Sequence, residues 1–557
     1  MANLKSTTDI SKLPSIAGSR NVFNYEKKIY TTFNVGEIVP FYFNMLVEPG
    51  DTVSIDMASI LRTTTMLFPS YDDLIAEIFW FKQDYNNLYA HTKELMGENT
   101  TGTWTQTIEY ALPQVKIPAG TKIDTHHILA HLEWPIQTGG YSGAKMGLDM
   151  YHDICNEWFN NQTVMPPVLW SDGDEDITYD GTTLNGGTLR KAAKLPDYFN
   201  AGVPEPQKGQ AVSLPLGGEA PVIGNGLALG LQSNKNYGLV ERLTNSTAVL
   251  SANTSGYGKA IGQNISSSTE YPSGYNTIGV TTNGANSGII ADLTAATAAT
   301  FNALRIAAVQ QQIYEGDAYF GTRAREIIKS RWGVNTSAET LHIPEYLGGT
   351  KFPLEVYQVA QTSESNSNSD LGELGAYSET GNIHHAFTKS FDFWGCIMGL
   401  VVVRYNHSYA QGLPAQFSKK RRFDFHWPEM EHLGFTATYN REIYMTGNES
   451  VDNGAFNYRP IYQEYRYERS AATGEFNPSY DQSLDYMLYV DDYDNEDGSV
   501  GNVPVFSAEW VEETPTFVDR TLTHNHTKVD QIKMAAKLRV KKISKLAQYG
   551  LPGLTRF

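Results

Sequence analysis

Cysteine is nearly absent. The 557-residue chain has two, Cys155 and Cys396, which excludes a disulfide-dense secreted scaffold and points to a reducing compartment. Both read as small buried hydrophobes. Long apolar runs are also lacking. The longest, FWGCIMGLVVV at 393–403, is too short to span a bilayer and reads as a buried strand. The N-terminal MANLKSTTDISKLPSIAGSR has no apolar core of the kind a signal peptide needs. These absences predict a protein made and kept soluble inside a cell, with no membrane insertion.

Signatures of catalysis are missing as well. There is no Walker A loop; GNGLALG (224–230) has the wrong glycine spacing. No G-x-S-x-G elbow occurs, and carboxylates are too numerous for spacing to single out a glycosidase pair. THHILAH brings His126, His127 and His131 together, but without the Glu of a zinc-protease motif and in a stretch that alternates like a strand. His384–His385 and HNH (524–526) lie near no cysteine pair. DGDEDITYDG (172–181) places Asp172, Asp174 and Asp176 like the first ligands of a calcium loop, but Ile177 stands where the turn needs Gly and Thr183 where a closing Glu should be. This loop and DDYDNEDG (491–498) read as solvated acidic loops. No catalytic residue, metal or cofactor is expected.

What is present suggests strands. Hydrophobic residues make up 41% and charged residues 19%, as in an ordinary globular protein, and 33 Tyr accompany 48 Gly and 24 Pro. Residues 1–25 are polar and aperiodic and read as an extended arm. From 27 to 67 the pattern is strand, EPGD turn, strand, with Val53, Ile55 and Met57 alternating with polar residues. EIFWFKQDY (77–85), TKIDTHHILAHLEWP (121–135), PLEVYQVAQT (353–362) and HAFTKSFDFW (385–394) are further strand candidates, while 475–493 reads as loop. MYHDICNEWFNNQ (150–162) reads as a helix with Ile154, Trp158 and Phe159 on one face. Residues 291–334 read as two helical pieces interrupted at Gly316 and capped by Gly333.

Residues 223–288 differ in kind. Gly, Asn, Ser and Thr fill 36 of 66 positions, five residues are charged, and Phe and Trp are absent. Such a stretch supplies little core and reads as a long, exposed, turn-rich insertion. The early and late strand sets then form one sandwich with long excursions, the kind of loop that carries contacts.

Charge is distributed unevenly. The chain is −18, yet its last thirty residues, KVDQIKMAAKLRVKKISKLAQYGLPGLTRF, carry eight Lys and Arg against one Asp. Ile532, Met534, Ala536, Leu538 and Val540 alternate with Lys533, Lys537, Arg539 and Lys541. A strand would have one apolar and one basic face. A helix competes, since Ile532, Ala536, Val540, Ile543 and Ala547 also align, but it strands Met534 and Leu538, so the strand is preferred. A basic face on an acidic protein suits a polyanion met through its phosphates, and the candidate contacts are Lys533, Lys537, Arg539, Lys541, Lys542 and Lys545. Lys419, Lys420, Arg421 and Arg422 form a second basic cluster.

Several stretches taken together, in order, resemble the major capsid protein of the Microviridae, small icosahedral single-stranded DNA bacteriophages, and most closely the gokushovirus branch. They are YTTFNVGEIVPFY and EPGDTVSI (30–55), DYFNAGVPEPQKGQAVSLPLG (197–217), YEGDAYFGTRAREIIKSRWGV (314–334), PEYLGG (344–349), VAQTS (359–363), AFTKSF (386–391), RRFDFHWPEMEHLG (421–434), NREIYMTG (440–447), EYRYERSAATGEF (464–476), VDR (518–520) and LPGLTRF (551–557). The stretch 539–550 departs from the family's pattern, being richer in Lys and lacking its Cys, and 99–150 matches nothing clearly.

The resemblance implies a mainly β, eight-stranded antiparallel jelly-roll sandwich of the viral capsid type over 26–557, with helices in its long insertions. It implies self-assembly of about sixty copies into a T=1 icosahedral shell. The implied partners are packaged single-stranded circular DNA, a minor pilot-type protein, a small internal protein and a receptor on the bacterial host surface. Residues 223–288 would form the threefold protrusions, and the sheet holding the last strand would face the shell interior. The implied location is the virion, after assembly in the host cytoplasm. A β-sandwich carbohydrate-binding protein or glycoside hydrolase is the alternative, because the same fold serves both.

Overall fold

The computed structural model describes residues 19–99, 108–168, 175–179, 187–210, 301–360, 374–495 and 499–549, with short pieces at 102, 104, 212, 222–224, 230–233, 241–242, 278–280 and 289–291. The first 18 residues of the expected arm, most of the 223–288 insertion, Asp172 and Asp174 of the acidic loop and the LPGLTRF terminus lie outside them. The chain divides into two compact units, Met1–Lys208 with Glu315–Phe557, and Gly209–Tyr314.

Eight long strands organise the first unit: β1 (Asn21–Phe33), β2 (Val39–Val47), β3 (Thr52–Thr63), β4 (Leu74–Asp84), β5 (Glu345–Pro353), β6 (Thr380–Ser390), β7 (Gly395–Tyr405) and β8 (Ile532–Ser544). They form two four-stranded sheets, β1-β8-β3-β6 and β5-β4-β7-β2, with every pairing antiparallel. The first four strands alternate between the sheets, and β8, last in the chain, lies between β1 and β3. The fold is thus a mainly β antiparallel sandwich. β1 begins at Asn21, so the last five residues of the expected arm are sheet.

Period-two patterning decides what meets inside. Val53, Ile55, Met57 and Leu61 of β3 and Ile532, Met534, Leu538 and Val540 of β8 pack in one core with Ala76, Ile78 and Trp80 of β4 and Ile397, Val401 and Val403 of β7. Trp80 is fully buried, with its ring 5.3 Å from that of Phe41 and 5.7 Å from that of Phe387. Gly399 lies opposite Trp80 in the ladder, and a Cβ there would come within 2.8 Å of Phe41 and 3.0 Å of the indole.

β7 has no polar face because neither of its faces meets water. Its alternate residues Cys396, Met398, Leu400 and Val402 enter a second core with Phe81, Met146, Met150, Tyr151 and Ile154. The last four belong to α1 (Met146–Ile154), which a single π-helical turn, Cys155–Phe159, extends. That turn changes the helical step, so Phe159 is buried while Trp158, expected on the same face, is 38% exposed. Beside them Gln114–Ile117 pairs with Tyr141–Ala144 and Ile177–Thr178. Among the described residues no helix is long and apolar enough to cross a membrane.

Two expectations are corrected. The stretch 121–135 is not a strand: its regular part is the helical turn Ile128–His131, where the His127 ring accepts a hydrogen bond from the Leu129 N–H. Gly316 does not interrupt a helix, because α2 (Phe301–Phe320) runs through it and stops before Gly321, whose φ is +88°. A glycine whose neighbours favour helix is tolerated at about 1 kcal/mol, whereas a left-handed one ends the helix. α3 (Ala324–Trp332) closes on Gly333, as expected, with φ +70°. In the unit Gly209–Tyr314 the described strands are short: Gly230–Ser233 pairs with Glu241–Arg242 and with Ile278–Val280, and Val222–Gly224 with Ile289–Ala291.

A buried polar clamp ties four segments distant in the chain. His407 donates from Nδ1 to Asp491 at 2.6 Å and from Nε2 to Glu513 at 3.0 Å. Lys194 lies 3.5 Å from Asp491, which also accepts from the Tyr493 hydroxyl at 2.8 Å. Burial is the largest single influence on His407 and opposes its protonation, but the Asp491 and Glu513 carboxylates together outweigh it and hold the imidazole up at about 9.

Candidate nucleic-acid interface

β8 sorts its side chains by face. Ile532, Met534, Ala536, Leu538 and Val540 are buried in the sandwich, and Lys533, Lys537, Arg539 and Lys541 stand on the opposite side. The competing helix is thereby excluded. In an antiparallel ladder, directly paired residues share a face, so the registers show what surrounds the cations. Thr32, Lys533 and Arg62 form one row across β1, β8 and β3. Tyr30, Ala535, Ile60 and Gly381 form the next row, and Lys28, Lys537, Ala58 and Ile383 the one after. Glu26, Arg539, Asp56 and His385 follow, then Asn24, Lys541, Ser54 and Thr388.

The face holds six Lys and Arg against two carboxylates. Part of that charge is neutralised locally. Glu26 receives Lys537 at 2.8 Å and Arg539 at 3.1 Å, and the Lys537 hydrogen bond holds its carboxyl below the usual carboxylate range. Asp56 bonds His385 at 2.6 Å, and Arg62 reaches Glu379 at 2.7 Å. Lys28, Lys533 and Lys541 are exposed and have no ion pair among the described residues.

The other expected cations are placed differently. Lys542 is turned from this face, 2.8 Å from Asp51 and donating to the Leu46 carbonyl at 2.8 Å, so it serves the loop between β2 and β3. Lys545 is exposed just past the end of β8. Lys419 is spent on Glu464 and on the Asp424 carbonyl, both at 2.6 Å. The Lys420 and Arg421 N–H groups donate to the Asp424 carboxylate at 2.8 and 2.7 Å, and they hold its carboxyl below the usual range. Arg422 stacks over Trp427 at 4.5 Å. Only the side chains of Lys420, Arg421 and Arg422 point this second cluster outward.

In the THHILAH stretch His127 is buried and His131 half-buried. Burial pushes His127 and His131 down to about 4, so both are neutral at pH 7, and the His131 ring lies 3.1 Å from the Thr31 hydroxyl. Among the described residues no group of three His, Cys, Asp or Glu could hold an ion. Cys155 and Cys396 are free and buried, and burial pushes the Cys155 thiol up to about 12. Lys28, Arg62 and Tyr30 were not singled out from the sequence. Their signal is weak: a period-two pattern in β1 and β3 that acquires meaning only once both strands flank β8.

Comparison with known proteins gives one answer. A family model described as capsid protein (F protein) matches residues 11–554. The chain is 31% identical to capsid protein VP1 of Bdellovibrio phage phiMH2K, covering 85% of this chain and 86% of that one. Capsid protein VP1 of Spiroplasma virus 4 is 29% identical over 96% of both chains, and that of Chlamydia phage 1 is 28% identical over 91% of this chain and 94% of its own.

Proposed function

The chain belongs to the phage capsid protein (F protein) family, and from that premise we propose that it closes a T=1 icosahedral shell of about sixty copies around single-stranded DNA. Capsid protein function and self-assembly come with the family; the geometry and contents of the shell are our reading. Strand order supports a jelly-roll subunit, since eight strands in two antiparallel sheets place the last strand between the first and third. The carbohydrate-binding or hydrolase alternative loses its ground, because the matched relatives are capsid proteins.

The observation that carries the DNA reading is the basic outer face of β1-β8-β3-β6 on a chain of net −18. Turned inward, that face meets phosphates while the acidic remainder faces away. The chain then resides in the virion, after assembly in the host cytoplasm, with a pilot-type protein, a small internal protein and a host receptor as further partners. Residues 223–288, poor in charge and without Phe or Trp, are the segment that touches the bacterial surface. The test is to express the chain, image it by electron microscopy and assay nuclease-protected DNA. Uniform shells holding single-stranded DNA are expected. A chain that stays monomeric across salt and concentration would sink the proposal.

A further inference from the structure

We propose that the row Tyr30–Ala535–Ile60–Gly381 is a stacking platform for unpaired bases, so that this face holds single-stranded nucleic acid by its bases as well as its phosphates. The inference rests on the DNA-enclosing reading above and names the contact within it.

Four observations converge on this row. Tyr30 is 76% exposed in the middle of a strand, with no ring partner among the described residues. Its neighbours across the sheet, Ala535 and Gly381, are small, and Ile60 is 43% exposed, so the surface beside the phenol is flat and apolar. The row is flanked on both sides by cations: Lys533 and Arg62 on one, Lys28 and Lys537 on the other. Lys28 and Lys533 have no carboxylate partner among the described residues.

Access to a free base face separates single strands from duplex. Rows on one face are two residues apart, about 6.8 Å. Stacked bases in duplex rise about 3.4 Å per nucleotide. The cations on either side of the platform are therefore two row steps apart. That span, about 13.6 Å, holds two nucleotides of an extended strand with a base laid on the platform between the cations, and a duplex offers no free base face. An aromatic ring with basic neighbours on an open sheet is the arrangement by which proteins hold single strands without base readout. Charge favours this occupant over another polypeptide, since the five rows carry six cations against two carboxylates.

The test uses the full chain. Binding of a thymidine oligonucleotide and of a duplex of equal length is measured for the wild type, Tyr30→Ala, Tyr30→Trp and Lys533→Glu, with thermal melting as the folding control. Ultraviolet cross-linking of filled particles, mapped by mass spectrometry, locates the adducts. Tyr30→Ala is expected to weaken single-strand binding about tenfold and leave duplex binding unchanged. Tyr30→Trp should preserve both, and a nucleotide adduct should map to Tyr30. Wild-type affinity in Tyr30→Ala, or an adduct joining Tyr30 to a polypeptide, overturns the platform. If Lys533→Glu still weakens binding in that case, the DNA-enclosing reading survives the loss. If no variant alters binding and particles hold no DNA, that reading fails first.

Discussion

The buried clamp at His407 makes an alkaline weakness that can be measured. Asp491, Glu513 and Lys194 face the imidazole, the Tyr405 ring lies 4.5 Å from it, and Tyr493 donates to Asp491. An imidazole held at about 9 in the fold and at its ordinary 6.5 when unfolded favours folding by about 3 kcal/mol. The folded value is raised, so this contribution is complete below pH 6.5, declines as pH rises, and is gone above about 9. His407→Gln removes the titration and leaves two buried carboxylates short of a cation, costing roughly 3–5 kcal/mol at pH 6. Urea unfolding of the unassembled chain, followed by near-ultraviolet circular dichroism, should show the wild type losing about 3 kcal/mol more than His407→Gln between pH 6 and 9.5. Parallel pH profiles for the two proteins would refute the argument, as would wild-type stability of His407→Gln at pH 6.

Other outcomes follow from the same geometry. Neutralising Lys28, Lys533 and Lys541 to Gln should lower the salt slope of single-strand binding by about 2 and reduce packaged DNA with shells still forming; unchanged packaging makes the basic face a solubility feature. Lys537 and Arg539 are poorer probes, because charge reversal there would also repel Glu26. Deleting residues 223–288 should leave assembly intact and abolish attachment to the host, and particle imaging beside an adsorption assay separates the two. Gly36→Ala should destabilise the chain by about 2 kcal/mol in the same urea titration, since φ is +85° and the new Cβ would sit 2.8 Å from the Glu513 carbonyl oxygen.

Sequence by itself determined the local period and therefore the faces. The alternation from Ile532 to Lys541 fixed which side of β8 is apolar, and the unbroken run at 393–403 identified a strand covered on both faces. Both are one-dimensional signals, read from neighbours along the chain. Where local cues conflict, as at 121–135, a side chain capping one helical turn outweighs apparent alternation. The ordered motifs identified the family without any geometry, and they carried the shell, its contents and its partners only as expectations.

Tertiary structure alone decided who stands beside whom. β1 and β8 are some five hundred residues apart in the chain and are brought into register by burying their shared apolar side. That register separates Lys533 and Lys541, which have no ion pair among the described residues, from Lys537 and Arg539, occupied by Glu26, and sends Lys542 to Asp51. It also sets Tyr30 between two rows of cations, and folding closes His407 between two carboxylates from distant segments. Periodicity specifies a face, but partners depend on which strands pack together, and that is settled by the fit of apolar surfaces in space.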